Sequence, residues 1–187
     1  MNKATLLLGG NQGDRRRLLQ QATELIQQSI GSVVLSSSIY ETEPWGTFGE
    51  QAPQRFLNRA LQVETELTAH EVLEEALVIE AVLGRLRPTG LRVPKDYKVP
   101  KDLKDPKSAR VYHSRPMDID IIFFNDEVID EPDLQIPHPR MHLRRFVLEP
   151  LAEIMPDYRH PVLGLTVRQL LERNPILNTV TSEVLKN

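Results

Sequence analysis

The segment Met117-Asp-Ile-Asp-Ile-Ile-Phe-Phe124 has the strongest strand pattern in the sequence and carries two acidic residues, Asp118 and Asp120. Its apolar and β-branched residues, bounded by turn-forming segments, predict a buried β-strand. Because side chains alternate along a strand, we expect Asp118 and Asp120 to share one face. The opposite face would then carry the apolar side chains of Met117, Ile119, Ile121 and Phe123. Two carboxylates about 4 Å apart repel by about 4 kcal/mol at an effective dielectric near 20, so the pair favours a bound cation or proton.

The carboxylate pair fits a magnesium site, because Mg²⁺ takes one or two carboxylates together with phosphate oxygens and water. The same D-x-D pattern also occurs on the solvent face of antiparallel sheets. Neighbouring basic residues favour a phosphate site, since arginine matches phosphate oxygens. These residues are Arg85, Arg87, Arg115, His138, Arg140, Arg144 and Arg145. Their alternative interpretation is surface or helix-end charge and, for His138, a loop histidine between two prolines.

The pattern around this strand predicts a mixed succession of strands and helices. We expect strands at residues 4–9, 33–42 and 57–65, and helices after Asp14, after the capping box at Thr68, at residues 146–155, and after the capping box at Thr166. This order predicts an α+β fold, with a mostly antiparallel sheet and helices packed over it.

Composition excludes several classes of protein. The chain has 187 residues and no cysteine, which removes disulfides, thiolate metal sites and a cysteine nucleophile. A net charge of −3 argues against a general nucleic-acid binder. The chain has neither an uncharged stretch near the roughly 18 residues of a membrane span nor the glycine-rich loops of P-loop and dinucleotide-binding proteins. We expect a single cytoplasmic domain over residues 1–187.

A Lys- and Pro-rich segment at about residues 88–114 interrupts the pattern. Lysine recurs every third residue from Lys95 to Lys107, and proline every sixth from Pro94 to Pro106, which favours extended or polyproline II backbone. Residues 95–110 carry a net charge of +3, which leaves −6 for the rest of the chain. The segment is either a solvated, partly disordered insertion or a mobile basic lid beside an anionic ligand.

A second cluster suggests a planar ligand. The sequence Tyr40-Glu-Thr-Glu-Pro-Trp-Gly46 ends a strand in a turn, and Phe56 and Asn58 lie two residues apart at the start of the next strand. An aromatic ring can stack on a heterocycle while an amide binds its polar edge. The alternative is a core phenylalanine with an asparagine that closes a turn.

Taken in order, these pieces resemble the 6-hydroxymethyl-7,8-dihydropterin pyrophosphokinase family of folate biosynthesis. The resemblance is carried by Leu6-Leu-Leu-Gly-Gly-Asn11, Tyr40-Glu-Thr-Glu-Pro-Trp-Gly46, Phe56-Leu-Asn58, Glu80-Ala-Val-Leu-Gly-Arg85, Arg115-Pro-Met-Asp-Ile-Asp120, Pro137-His138, Arg144-Arg-Phe146 and Glu149-Pro-Leu-Ala-Glu-Ile154. It implies a ferredoxin-like α/β core. It also implies transfer of pyrophosphate from ATP to the pterin hydroxymethyl group, with release of AMP. We further expect a monomer that binds neither nucleic acid nor membrane.

The resemblance also implies roles for individual residues. Asp118 and Asp120 would ligate two Mg²⁺ ions, and together with Arg115 they would form the catalytic centre. Contacts to ATP would come from Glu80, Arg85, Arg87, Arg110, Arg115, His138 and Arg144. Contacts to the pterin would come from Thr42, Pro44, Trp45, Phe56, Asn58 and Phe146, with the two phenylalanines on either side of the ring. The 27 residues between Arg87 and Arg115 exceed the family's usual loop, and we hypothesise that their basic edge closes over the triphosphate.

Two alternatives stay open on the sequence. A ferredoxin-like RNA-binding module would use aromatic side chains to stack bases and the lysine repeat to follow a backbone. Aromatic residues make up only 5% of the chain, and Asp118 and Asp120 would repel phosphates. The second alternative is a catalytically dead relative that docks a partner through the Lys-rich segment, which the intact aspartates argue against.

Overall fold

The computed structural model describes residues 1–43, 54–85 and 115–174, together with the strand Glu183–Leu185. The predicted segment 88–114 and the predicted site residues Pro44, Trp45, Arg87 and Arg110 lie outside the described residues.

The described chain contains eight strands, four α-helices and one 3₁₀ turn, Met141–Leu143. The strands are β1 (Asn2–Gly10), β2 (Ser32–Ser36), β3 (Ile39–Thr42), β4 (Phe56–Thr65), β5 (Asp118–Phe124), β6 (Ile129–Asp130), β7 (Gln135–Ile136) and β8 (Glu183–Leu185). The helices are α1 (Arg15–Ser29), α2 (Ala69–Val82), α3 (Arg145–Ile154) and α4 (Val167–Arg173). Among the described residues, no helix combines the length and the apolar character that a bilayer crossing requires.

Three helices begin where their capping residues predict. The Asp14 side chain accepts a hydrogen bond from the Arg17 N–H at 3.1 Å at the start of α1. Thr68 with Glu71 and Thr166 with Gln169 form capping boxes at the starts of α2 and α4. Each cap satisfies backbone N–H groups that a first helical turn leaves without an intrahelical partner. The predicted helix starts are therefore confirmed.

The main sheet has six strands in the order β5-β1-β4-β3-β8, with β2 also paired to β4. Each of its pairings is antiparallel. If β2 and β3 are counted as one strand, the chain order from β1 through α1, β2 with β3, β4 and α2 to β5 is β-α-β-β-α-β. Strands β1 and β4 lie in the middle of this part of the sheet. This is the connectivity of a ferredoxin-like sheet, so the predicted α+β fold is confirmed.

Two cores cover the two faces of this sheet. Helices α1 and α2 pack over one face, against a cluster that includes Leu6, Leu8 and Ile119. Helices α3 and α4 lie on the other side, against a cluster that includes Leu7 and Ile122. Because alternate residues of β1 enter different clusters, the strand has to be buried on both faces, and its continuous apolar run follows from that position.

The single strand predicted at residues 33–42 is wrong in one respect, because it is divided into β2 and β3. The Ser37 hydroxyl accepts the Ala60 N–H at 2.9 Å, while the Ser37 N–H donates to the Ala60 carbonyl at 2.9 Å. A side-chain acceptor therefore replaces a backbone carbonyl in the ladder. The pairing of β2 with β4 also shifts between Val33 and Leu35.

The predicted alternation along residues 117–124 is wrong at Phe123. The register between β1 and β5 places Thr5 opposite Phe123 and Leu6 opposite Ile121, so that Ile122 is an extra residue. A bulge of this kind reverses the alternation beyond it. Phe123 consequently joins the cluster under α3, where its ring centroid lies 4.6 Å from that of Tyr158.

Candidate active site

A cavity of about 220 Å³ opens among the ends of β1, β3, β4 and β5 and the segment that leads into α3. Nine predicted site residues line it: Thr42, Phe56, Asn58, Arg115, Asp118, Asp120, His138, Arg144 and Phe146. They come from four separate parts of the sequence. The structure thus brings members of both predicted groups together in one cleft, while the predicted site residues Glu80 and Arg85 do not line it.

Asp118 and Asp120 share the face of β5 that points into the cleft. Across the ladder Asp120 lies opposite Leu7, and Asp118 lies opposite Gly9. Loss of hydration, and then the charge of Asp118, raises the pKa of Asp120 well above its ordinary value, although Arg144 and Arg115 act in the opposite direction. Asp120 therefore lies where additional positive charge is favourable.

Two predicted ATP ligands contact Asp118 in this structure. Arg85 Nη1 donates to Asp118 Oδ1, and Arg115 Nη1 donates to Asp118 Oδ2. Arg115 lines the cavity, whereas Arg85 does not line it and is 17% exposed, in contact with the lining residue Asp118. The predicted residue Glu80 is buried behind Arg85 and accepts from Arg85 Nη1 at 2.7 Å.

His138 and Arg144 line the same cavity as the two aspartates. The His138 N–H donates to the Ile122 carbonyl at 3.0 Å, which fixes the histidine beside β5. Loss of hydration, and then the charge of Arg144, lowers the pKa of His138 to about 4. His138 is therefore a neutral imidazole at pH 7, able to donate or accept a hydrogen bond but not to form an ion pair.

The pterin side of the prediction converges around Asn58. Asn58 Nδ2 donates to Thr42 Oγ1 at 2.7 Å, and both side chains are buried. This bond orients the amide and leaves the Thr42 hydroxyl with a proton to donate. The aromatic residues Phe56 from β4 and Phe146 from α3 line the same cavity, and the Arg144 guanidinium carbon lies 5.7 Å from the Phe146 ring centroid.

The sequence did not single out three residues that line the cavity, namely Leu7, Gly9 and Glu43. Leu7 and Gly9 enter it because they pair with the two aspartates. Glu43 forms an ion pair with Arg55 at 2.6 Å. Knowledge of the strand pairing would have identified the first two, but the pairing was not visible in the sequence.

Asn11 is a further residue to which the sequence assigned no role of its own. Its side-chain carbonyl accepts the Arg115 N–H at 2.8 Å, and its own N–H donates to the Arg115 carbonyl at 3.0 Å. Its side-chain amide donates to the Gln54 carbonyl at 3.2 Å. The turn after β1 therefore fixes the backbone on both sides of the cleft, at residues 54 and 115.

Comparison with known proteins gives a consistent result. The sequence model described as 7,8-dihydro-6-hydroxymethylpterin-pyrophosphokinase matches residues 5–156. Three relatives carry the name 2-amino-4-hydroxy-6-hydroxymethyldihydropteridine pyrophosphokinase. The Bacillus subtilis protein is 40% identical over 82% of this chain and 78% of its own length. The Porphyromonas gingivalis protein is 36% identical over 83% of this chain and 92% of its own length. The Methylorubrum extorquens protein is 36% identical over 92% of this chain and 94% of its own length.

Solved structures agree on the fold. The crystal structure of Plasmodium falciparum wild-type HPPK-DHPS with pteroate superimposes with a TM-score of 0.66 at 18% sequence identity, over 92% of this chain. This chain spans only 44% of that longer protein. On the family match and the relatives together, the chain belongs to the 7,8-dihydro-6-hydroxymethylpterin-pyrophosphokinase family.

Proposed function

We propose that this member of a folate-biosynthesis transferase family moves the pyrophosphate group of ATP to the hydroxymethyl group of 6-hydroxymethyl-7,8-dihydropterin and releases AMP. One observation carries the proposal. A single cavity is lined by the carboxylate pair and by Arg115, His138 and Arg144, together with the Asn58–Thr42 pair and the two phenylalanines. A site for a polyphosphate and a site for a polar heterocycle thus adjoin, as transfer between them requires.

The residues present fit a divalent cation. Asp118 and Asp120 offer hard oxygen donors from one strand face, and the raised pKa of Asp120 marks a position where positive charge is favourable. We propose that these two carboxylates hold Mg²⁺, as two ions with ATP. The metal would supply charge that neutralises phosphate oxygens during transfer.

The basic residues are proposed to hold the triphosphate. Arg85 and Arg115, which now pair with Asp118, would exchange that carboxylate for phosphate oxygens, since guanidinium groups bind both with similar geometry. Arg144 would add charge, and His138 would contribute as a neutral hydrogen-bonding group. Arg87 and Arg110 keep their proposed contacts to ATP on the sequence resemblance alone.

The pterin is proposed to lie between Phe56 and Phe146 with its polar edge at Asn58. The buried bond from Asn58 to Thr42 fixes both groups before the ligand arrives, which reduces the entropy lost on binding. Pro44 and Trp45 keep their proposed roles on the resemblance. In this arrangement the hydroxymethyl oxygen would face the β-phosphorus, and the enzyme would act mainly through positioning and charge neutralisation.

Product analysis tests the proposed reaction. ³¹P NMR of wild-type protein with ATP, Mg²⁺ and the hydroxymethyl pterin should show AMP and a pterin diphosphate in equal amounts. Formation of ADP and a pterin monophosphate would refute pyrophosphoryl transfer in favour of simple phosphoryl transfer. Asp130→Asn, a change at an exposed carboxylate on β6, serves as the matched control and should give wild-type products.

The comparisons give no support to the RNA-binding alternative. A single domain over residues 1–187, a monomeric state and a cytoplasmic location stay predictions from the sequence. Analytical ultracentrifugation of the purified chain tests the monomer directly.

A further inference from the structure

Glu80 is a buried carboxylate that lies behind the cleft. It is 1% exposed, in the last turn of α2. A buried carboxylate is unfavourable unless it is paired and hydrogen-bonded. Its contacts therefore indicate what it does in the molecule.

The first contact holds the strand that carries both aspartates. Glu80 Oε1 accepts the Ile119 N–H at 2.8 Å, and Ile119 lies between Asp118 and Asp120. Strand β5 is the first strand in the sheet order, so β1 pairs with one of its edges and no strand of that order pairs with the other. Glu80 therefore takes the place that a further strand would occupy, and it fixes β5 at the residue between the two proposed metal ligands.

The second contact holds Arg85. The same Glu80 oxygen accepts from Arg85 Nη1 at 2.7 Å, and the Arg85 N–H donates to the Glu80 carbonyl at 2.9 Å. Arg85 Nη1 also donates to Asp118 Oδ1. One guanidinium nitrogen is thus shared between a buried carboxylate outside the cavity and an aspartate that lines it.

We propose that Glu80 is a positioning residue that acts through Arg85, rather than an ATP contact. This inference rests on the proposed function. When Asp118 turns to its metal, Arg85 loses one of the two carboxylate partners that it has among the described residues. Glu80 remains as the other partner and keeps the guanidinium at the edge of the cleft. Without it, a partly buried positive charge would have to find a new partner or move out to water.

Glu80→Gln is the most informative substitution, because the amide oxygen can still accept the Ile119 N–H while the negative charge that holds Arg85 is gone. We expect kcat to fall ten- to hundredfold, with KM for the pterin within about twofold of wild type. Glu74→Gln, on the exposed face of the same helix, is the matched control and should leave both constants unchanged.

A double-mutant cycle with Arg85→Lys separates positioning from direct contact. If Glu80 acts through Arg85, the effect of Glu80→Gln on kcat should shrink to less than threefold in the Arg85→Lys background. An equal effect in both backgrounds overturns the proposal, as does an unchanged kcat in the single variant. Should Glu80→Gln be too unstable to purify, Glu80→Asp is used in the same cycle with the same criterion.

Amide hydrogen exchange tests the anchoring of β5 without any substrate. The Ile119 amide should be equally protected in wild type and Glu80→Gln, and should exchange at least tenfold faster in Glu80→Leu. Equal protection in Glu80→Leu would refute the anchor. These outcomes are distinct from failure of the proposed function, which would appear as a wild-type protein that forms no AMP.

Discussion

Gly10, at the end of β1, is a position where a single added methyl group should lower activity far more than it lowers stability. A Cβ at residue 10 would lie 2.3 Å from the Pro116 carbonyl oxygen and 3.2 Å from its carbon. The neighbour is backbone and cannot rotate away. Gly10→Ala therefore has to push residue 116 back by about 0.7 Å to reach even a 3.0 Å contact.

The displacement falls two residues before Asp118. Overpacking of this kind typically costs about 1–3 kcal/mol, which for a chain of this length lowers Tm by roughly 2–12 °C. A misplacement near 1 Å can reduce catalysis about 100-fold. We therefore expect Gly10→Ala to form AMP roughly 30- to 100-fold more slowly than wild type when both are assayed well below Tm.

Gly31 provides the matched control. A Cβ at residue 31 would lie 2.1 Å from the Glu64 carbonyl oxygen, a similar clash with backbone far along the chain from the aspartates. Gly31→Ala should lower Tm by a comparable amount, measured by circular dichroism, and keep its rate within about twofold of wild type. Equal rate losses in the two variants, or a fully active Gly10→Ala, would contradict the claim that displacing residue 116 disturbs the site at Asp118.

Three further predictions address the cleft and the acid stability of the fold. Asn58→Ala removes the buried hydrogen bond to Thr42, so steady-state kinetics should show KM for the pterin at least tenfold higher and KM for ATP nearly unchanged. Equal rises in both KM values would contradict the proposed contact of Asn58 with the pterin. His138→Gln should leave the pH profile of kcat/KM between pH 6 and 8 unchanged, because a histidine with a pKa of about 4 is neutral throughout that range. A titration with a pKa near 6.5 that appears in the wild-type profile and is abolished by this substitution would contradict the prediction. Lost hydration and the charge of His142 lower the pKa of His160, so the folded state binds a proton less readily than the unfolded state. Stability should therefore be full above the unfolded pKa near 6.5 and fall as the pH drops below that value. His160→Asn should flatten the fall in Tm measured from pH 7 to 5, and an unchanged slope would contradict this role of His160.

The fold was predictable where local patterns agree with the tertiary structure. The capping boxes at Thr68 and Thr166 begin helices, and the periodicity after Asp14 matches α1. The strand pattern failed at Phe123 because a bulge depends on the pairing partner Thr5, more than 100 residues away. It failed again at Ser37, where one hydroxyl replaces a backbone acceptor.

The candidate site was predictable as a set of residues but not as a set of contacts. The alternation of Asp118 and Asp120 on one strand face follows from sequence alone, and the structure has both lining the cavity. The ion pair of Asp118 with Arg85 could not be predicted, because it depends on how the end of α2 meets β5. Glu80 shows the same limit, since its burial and its bond to Arg85 are visible only in the structure.

We propose that Asp118 and Asp120 form the metal-dependent centre of pyrophosphoryl transfer to the pterin. The most direct test measures AMP release from ATP and Mg²⁺, with and without 6-hydroxymethyl-7,8-dihydropterin, for wild type and for the Asp118→Ala/Asp120→Ala variant. We predict pterin-dependent AMP formation in the wild type that is lost by at least a thousandfold in the folded double variant. AMP formation that survives in the double variant, or a folded wild type that releases no AMP, would contradict it.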